Sequence, residues 1–378
     1  MNILKKILKM TGIIILSIIL LVVIVAAVFM NTSPEFGGKV SKEQQLAFAQ
    51  TGRYEDGKFI NQIPSEIEIG LKDFPGLLYK QFKGDPNRQP AIKFPIEKID
   101  SLEIVNKPDS ITRITWFGHS AFLIEIAGKK ILIDPMFGPV PAPHPWLGKK
   151  RYSNGLPIEI EKLPEIDAII MSHDHYDHLD YGSIMKLKAK TKQFYMPLGV
   201  GAHFKKWGIE AERIHELDWW DDIMLDSLKF TCAPARHFSG RGMFDRAATL
   251  WASWVIEADG KNIYFSGDSG YGPHFKEIGQ RFGSFDFAMM ECGQYGEKWK
   301  AIHMTPEETI QASVDINAKA VMPIHWAAFT LAFHSWTDPV ERASKKAVEM
   351  NVPFYTPRIG EAIILDREIP SSRWWEKF

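Results

Sequence analysis

Residues 171–180, MSHDHYDHLD, gather His173, His175, Asp177 and His178 directly after an apolar run, LPEIDAII. Imidazoles and carboxylates crowded at the end of a buried strand are costly to desolvate unless something compensates them. Three more strand ends deliver the same chemistry: TCAPAR runs into His237, IYFSG into Asp268 and AVMPI into His325. Layered α/β proteins place ligand sites just past the C-terminal ends of strands, so this pattern predicts a metal centre. In an extended segment residues two apart share a face, which lets His173 and His175 hold one cation together. Asp177 and His178 follow where the chain turns and face a second cation. His237 completes the first set and His325 the second, while Asp268, with two oxygens, bridges both. Neutral imidazoles with carboxylates suit zinc, and iron or manganese fit the same donors. Two such cations about 3.5–4 Å apart activate a bridging hydroxide for in-line attack at phosphorus. Asp177 and Asp268 are therefore expected to serve catalysis as well as metal binding.

The elements that must carry these groups are legible as short runs rich in β-branched and aromatic residues. ITRITWFG, AFLIEI and KKILIDP come first, with AGK as a tight turn between the last two. DAIIMS, QFYMPL, SLKFTCAPA, SWVIEA, KNIYFSGD, FDFAMMEC and KAVMPIH follow, with helical stretches such as YGSIMKLKAK and PEETIQASVDINA among them. Strands mixed with helices over this length predict an α/β layered domain, and no internal repeat interrupts it. We place this domain at residues 109–378. Residues 35–108, polar and broken by proline, read as a linker and an N-terminal extension. Residues 1–34 read as a basic stub and an anchor.

That anchor reading rests on Gly12 to Met30, GIIILSIILLVVIVAAVFM, which is nearly pure aliphatic and close to the roughly 20 residues that cross a bilayer. Lys5, Lys6 and Lys9 precede it, so the positive-inside rule keeps the N-terminus cytoplasmic and sends the body outside. A cleaved signal peptide with a secreted body is the alternative; the long apolar core and the poor cleavage site VFMNTS favour an uncleaved helix. The chain has 45% hydrophobic and 24% charged residues and a formal net charge of -1. Without a basic field, nucleic acid is not an expected partner. Cys232 and Cys292 lie in apolar segments and read as two buried free thiols rather than a disulfide.

HDHYDH fits the HxHxDH signature of the metallo-β-lactamase superfamily. SHDHYDHLDY, HELDWW, SGDSGYGPHFKEIGQRFGSFD, HMTPEE and IHWAAFTLA further resemble the N-acylphosphatidylethanolamine-hydrolysing phospholipase D family, over residues 109–340. The resemblance implies an αββα sandwich and a two-zinc centre that hydrolyses a phosphodiester in a phospholipid. By position it implies one zinc on His173, His175 and His237, the other on Asp177, His178 and His325, with Asp268 shared. It also implies that Asp134, ending ILIDPMF, orients a ligand histidine, and that His303, held at a helix entrance by the capping box around Thr305, Pro306 and Glu308, contacts substrate or donates a proton. His119, in FGHSAFL, reads as a structural hydrogen-bonding residue near the metals rather than a ligand. Because the superfamily performs many hydrolyses, a lactone or amide hydrolase stands as the alternative.

The remaining histidines, His144, His203, His215, His274 and His334, lack partner spacing and read as surface or ordinary polar groups. Arg236, Arg241 and Arg246 flank His237 closely enough to meet a phosphate, although solvation explains arginines equally well. The glycines of GDSGYG are expected to let backbone approach the metals. Trp219–Trp220 reads as core and Trp374–Trp375 as a docked tail. Nothing in the sequence fixes the oligomeric state.

Overall fold

A computed structural model describes residues 2–65, 70–83 and 86–378. Thirteen strands from Arg113 onward build two sheets. In chain order they are β1 (Arg113–Trp116), β2 (Phe122–Ile126), β3 (Lys129–Ile133), β4 (Ile166–Ile170), β5 (Thr191–Pro197), β6 (Ile214–Leu217), β7 (Asp222–Leu225), β8 (Leu228–Ala233), β9 (Ser253–Ala258), β10 (Lys261–Phe265), β11 (Phe287–Glu291), β12 (Val321–Ile324) and β13 (Ala362–Ile364). The first sheet runs β13-β1-β2-β3-β4-β5-β6 and the second β12-β11-β10-β9-β8-β7. Each sheet is mixed, parallel from β3 to β6 and from β10 to β12 and antiparallel elsewhere. The β2–β3 hairpin closes on Ala127 and Gly128, both at positive φ, as a two-residue hairpin with the strands' own twist requires.

Strands such as IDAII and FAMME are buried along their whole length, the mark of strands covered on both faces. Between the sheets, Trp116, Phe122 and Ile124 of one interdigitate with Phe230, Trp254 and Phe265 of the other. Phe122 meets Phe265 edge-on at 6.3 Å, and the Trp254 indole donates to the Met171 carbonyl. Ile184, Leu187 and Phe204 of helices Tyr181–Leu187 and Gly201–Lys206 cover the first sheet's outer face. Phe275, Ile278, Ala312 and Ile316, from helices His274–Phe282 and Pro306–Asp315 and the turn after the second, cover the other. The expected αββα sandwich is therefore what the chain forms. Cys232 and Cys292 are buried free thiols, Trp219 is core, and the buried Trp374 and Trp375 dock onto Trp326.

Helix α1 (Asn2–Thr32) stands outside the sandwich. From Lys5 to Thr32 it has a mean hydropathy of 3.5 in its most apolar window, none of it buried, which is the length and composition of a membrane span or of a signal sequence. The segment after it is tied down at once. Trp207 Nε1 donates to Pro34 O, Lys206 Nζ to Gly37 O, and Arg241 gives two hydrogen bonds to Glu35 O. Further on, Phe48, Tyr54, Phe59 and Phe94 join the inter-sheet core.

Candidate metal centre

Seven of the structure's chain segments end at one rim of the sandwich, and the polar residues singled out above meet there. His173, His175, His237 and Asp268 each offer an atom within 4.8 Å of the others. His119, Asp177, His178 and His325 form a second such group, and Asp268, His303 and His325 a third that overlaps both. Asp268 spans the two. Its Oδ2 lies 3.1 Å from His178 Nε2 and 3.8 Å from His173 and His237 Nε2, and its Oδ1 lies 3.0 Å from His325 Nδ1. All seven residues expected to bind metal thus converge, with Asp268 in the middle.

Hydrogen-bond partners assign which ring nitrogens carry lone pairs. Ser172 donates its hydroxyl to Asp134 Oδ2 (2.5 Å) and its N–H to Asp134 Oδ1 (2.7 Å). The Ser172 oxygen is then left to accept from His173 Nδ1 at 2.9 Å. His178 Nδ1 donates to Asp134 Oδ2 at 2.7 Å, and His237 Nδ1 donates to the Ile302 carbonyl at 2.9 Å. Every one of these imidazoles, when neutral, must turn a bare Nε2 inward. His173 Nε2 and His237 Nε2 come within 2.9 and 3.2 Å of His175 Nδ1, and His178 Nε2 faces two carboxylates without a hydrogen-bond partner of its own. Lone pairs aimed at one another in a buried space fit cations, which accept electron density from all of them. These residues fit the metals expected from the sequence.

The electrostatics point the same way. Burial opposes ionisation of Asp177 and Asp268, but His178 and the neighbouring imidazoles outweigh it and hold both carboxylates well below their usual range. Burial pushes His173 and His237 well down, with neighbouring imidazoles adding to the effect. His178 also loses solvation on burial, yet Asp268 and Asp177 overcome this and raise it well above the usual histidine range. These shifts favour a proton on His178 beside the two carboxylates, and a metal bound there would compete with that proton.

The residues assigned supporting roles are also in place. Asp134 holds His178 and, through Ser172, His173. His119 is buried, and its Nε2 lies 2.9 Å from Asp177 Oδ2. Its other nitrogen has no hydrogen-bond partner, and the ring lies among the second group of donors. His119, Asp134 and His325 all adopt left-handed backbone (φ 57, 40 and 64). Non-glycine residues pay for that conformation, and it concentrates where surrounding structure fixes a working geometry. His303 sits at the head of helix Pro306–Asp315, whose capping box of Thr305 and Glu308 is formed. Its Nδ1 is 3.0 Å from Glu291 Oε1, and its ring stacks on His325 at 5.3 Å.

Glu291 was not anticipated. It is fully buried at the end of β11 and also accepts from the Met304 N–H at 3.0 Å. Burial pushes its carboxyl well up and lowers His303. The signal for it was present, because FDFAMME ends on an acid just as its neighbour strand ends on Asp268. Asp174, between the two histidines of the HxH pair, was passed over too. It turns away from the metals and accepts from His203 Nε2 (3.0 Å), Thr249 Oγ1 (2.8 Å) and Gly240 N (2.7 Å).

Several expectations are corrected. His203 and His274 are buried, not surface groups: the first holds Asp174, the second bonds Ser269 Oγ at 3.0 Å beside Asp268. Arg241 is neither solvated nor free for phosphate, since it spends its donors on the carbonyls of Asp174, Leu179 and Glu35. Arg236 likewise bonds Ser65, Pro64 and Tyr271; Arg246, by contrast, is exposed and lies over the Phe238 ring. In GDSGYG, Gly270 serves a loop contact: a Cβ there would lie 2.1 Å from Ala301 O, so the Asp268 loop reaches the His303 loop only with glycine.

A cavity of about 310 Å³ opens over the centre, lined by His175, Asp177, Asp268, His303 and His325 together with Gln294 and the apolar Phe238, Trp299, Ile302 and Leu331. Residues 129–326 match the beta-lactamase superfamily domain. The chain belongs to the metallo-β-lactamase superfamily. Its sheets and its His/Asp clusters are those of a metallo-hydrolase of that superfamily. An uncharacterized protein of Mycobacterium tuberculosis is 36% identical to it over 331 residues, 86% of this chain and 88% of that protein. The N-acyl-phosphatidylethanolamine-hydrolyzing phospholipase D 1 of Caenorhabditis elegans is 31% identical over 229 residues, 57% of this chain and 64% of the relative. A metallo hydrolase from Ignicoccus hospitalis shares the fold with a TM-score of 0.51 at 21% identity, covering 68% of this chain and 100% of that structure.

Proposed function

We propose that this superfamily member is a membrane-anchored, zinc-dependent phosphodiesterase of the phospholipase D type. It would cleave N-acyl-phosphatidylethanolamine-like lipids to N-acylethanolamine and phosphatidate. The observation that carries this reading is the convergence of two donor sets on Asp268 at a cavity that Phe238, Trp299, Ile302 and Leu331 also line. The likeness to a phospholipase D of that specificity supports the substrate class. His173, His175 and His237 hold one cation, Asp177, His178 and His325 the other, and Asp268 serves both; His119 braces Asp177. Two zinc ions, when bound, supply Lewis acidity and a nucleophile at neutral pH.

The chain's own residues do the rest. Asp134 and Ser172 fix the ring orientations of His178 and His173. Asp177, clamped by His119, is placed to orient the nucleophile. His303, fixed through Nδ1 by Glu291, presents its other nitrogen to the cavity, where a proton can reach the departing oxygen. Phe238, Trp299, Ile302 and Leu331 offer an acyl chain a dry surface and keep water from the reacting bond. With its basic stub before α1, the chain keeps its N-terminus cytoplasmic and its body across the bilayer.

A second reading, a lactone or amide hydrolase, is favoured by one feature: among the described cavity-lining residues there is no arginine or lysine to meet a phosphate. The charge of a phosphodiester therefore falls to the metals alone. Liposomes containing N-acyl-phosphatidylethanolamine, assayed beside an acyl lactone and an acyl amide, separate the two. Release of N-acylethanolamine that is lost in Asp268→Asn supports the phospholipase reading; turnover of the lactone or amide alone overturns it.

A further inference from the structure

Two exposed loop tips carry large apolar side chains that the sandwich does not need. One is Trp146–Leu147 in PWLGKK, with Trp146 70% exposed; the other is Met243–Phe244 in GMFDR, with Phe244 91% exposed. Single exposed apolar residues need no explanation, but these two pairs are adjacent to the same structure. The Phe29 ring, in the last turns of α1, lies 6.5 Å from the Trp146 ring. Arg241, two residues before Met243, binds the carbonyl of Glu35 just past the end of α1. Both tips therefore flank the point where the apolar helix meets the body.

That junction is packed and hydrogen-bonded to the body close to the metal centre. Phe36 packs edge-on against Tyr176 at 6.3 Å, and the Tyr176 hydroxyl donates to Arg241 O. The neighbours of Tyr176 on either side, His175 and Asp177, line the cavity. The second tip reaches the same cavity by another route, since Arg246 lies 3.8 Å over Phe238 in the cavity wall. A bilayer crossed by α1 thus has its surface at the level of Phe36 and within a few side chains of the site.

We propose that this rim is a membrane-contact surface, in which Trp146–Leu147 and Met243–Phe244 enter the headgroup layer beside α1 and hold the cavity mouth over the bilayer. The composition suits that depth. Aromatic and aliphatic tips followed by cations, Lys149 and Lys150 in one loop and Arg246 in the other, match the apolar-then-polar gradient of a lipid interface. A lipid could then pass from the leaflet to the cavity without crossing water. The inference rests on the reading of α1 as a membrane span and on no particular substrate.

The test uses the full chain in phospholipid nanodiscs of phosphatidylethanolamine and phosphatidylglycerol. Trp146→Cys, Phe244→Cys, Val22→Cys and Val348→Cys are each labelled with an environment-sensitive fluorophore; the native cysteines are buried and stay unlabelled. Val348 is an exposed control on helix Asp338–Met350, which packs on Ile310 through Ala343 and Ala347. Lipids carrying a nitroxide near the top of the acyl chain are expected to quench labels at 146 and 244, with blue-shifted emission, and to leave 348 unchanged. Quenching at 22 with none at 146 and 244 overturns the contact surface while the anchor stands. No quenching at 22 overturns the anchor, and this inference with it.

Discussion

Replacing Asp134 with Asn keeps the number and arrangement of heavy atoms and should nevertheless unbalance the metal centre. Asp134 accepts three hydrogen bonds, from Ser172 N–H, Ser172 O–H and His178 Nδ1–H. An amide keeps one acceptor oxygen and turns an NH2 toward two groups that are themselves donors. The least costly relief is for His178 to move its proton to Nε2, the nitrogen that faces Asp268 and Asp177. The cation on the His178 side then loses a ligand, while the other side is disturbed only through Ser172. Changes of this kind to the partner of a ligand histidine typically cost about 10–100-fold in metal affinity, or about 1.4–2.8 kcal/mol. Competition titration with a chromophoric zinc chelator should show one step weakened by that amount and the other nearly unchanged. Ser172→Ala should do the reverse, because it removes the acceptor for His173 Nδ1. If Asp134→Asn binds both ions with wild-type affinity, the tautomer argument is wrong.

Glu291→Gln replaces the carboxyl group that positions His303 through Nδ1 and leaves the seven metal donors unchanged. Turnover should fall about 10–100-fold while zinc content by elemental analysis stays at the wild-type level; a matching loss of metal would show that Glu291 acts structurally. Asp268→Asn should weaken both chelator-titration steps together, since its carboxylate faces ligands of both groups. Burial holds His274 down at about 3. Above about pH 6.5 neither the folded nor the unfolded chain protonates it. As the pH falls from there toward 3 the unfolded chain binds the proton first, so folding loses on the order of a few kcal/mol across that window. Urea midpoints measured from pH 7 to 4 should fall more steeply for wild type than for His274→Gln, and parallel slopes would contradict this.

The centre was readable because its donors follow apolar strands, so one pattern marks His173, His237, Asp268 and His325 alike. The same pattern marks Glu291, which was missed because a lone acid without a partner at metal-ligand spacing reads as an ordinary strand end. The contribution of Asp174 was hidden for a different reason. Its partners, His203, Thr249 and Gly240, lie far along the chain and meet it only in the folded state. The left-handed backbone at His119, Asp134 and His325 has no sequence signature, because strain of this kind is imposed by packing around the site. The layered α/β class was clear from the central strands. The short polar strands β6 and β7, the edge strand β13 and helices His274–Phe282 and Asp338–Met350 were not, since IHEL, DIML and AII are too brief to show a period. In helix Asp338–Met350 the buried face holds only Pro339, Val340, Ala343 and Ala347 among charged residues, too sparse an apolar stripe to stand out. Docking of residues 34–37 could not be foreseen either, because backbone carbonyls accept most of the bonds and carry no residue identity.

Elemental analysis of the purified full chain, after equilibration with zinc and removal of loose ions, addresses the central claim directly. Two equivalents of divalent metal per chain, falling toward one in Asp134→Asn or Ser172→Ala, are the expected result. A folded chain that retains no zinc, iron or manganese would contradict it.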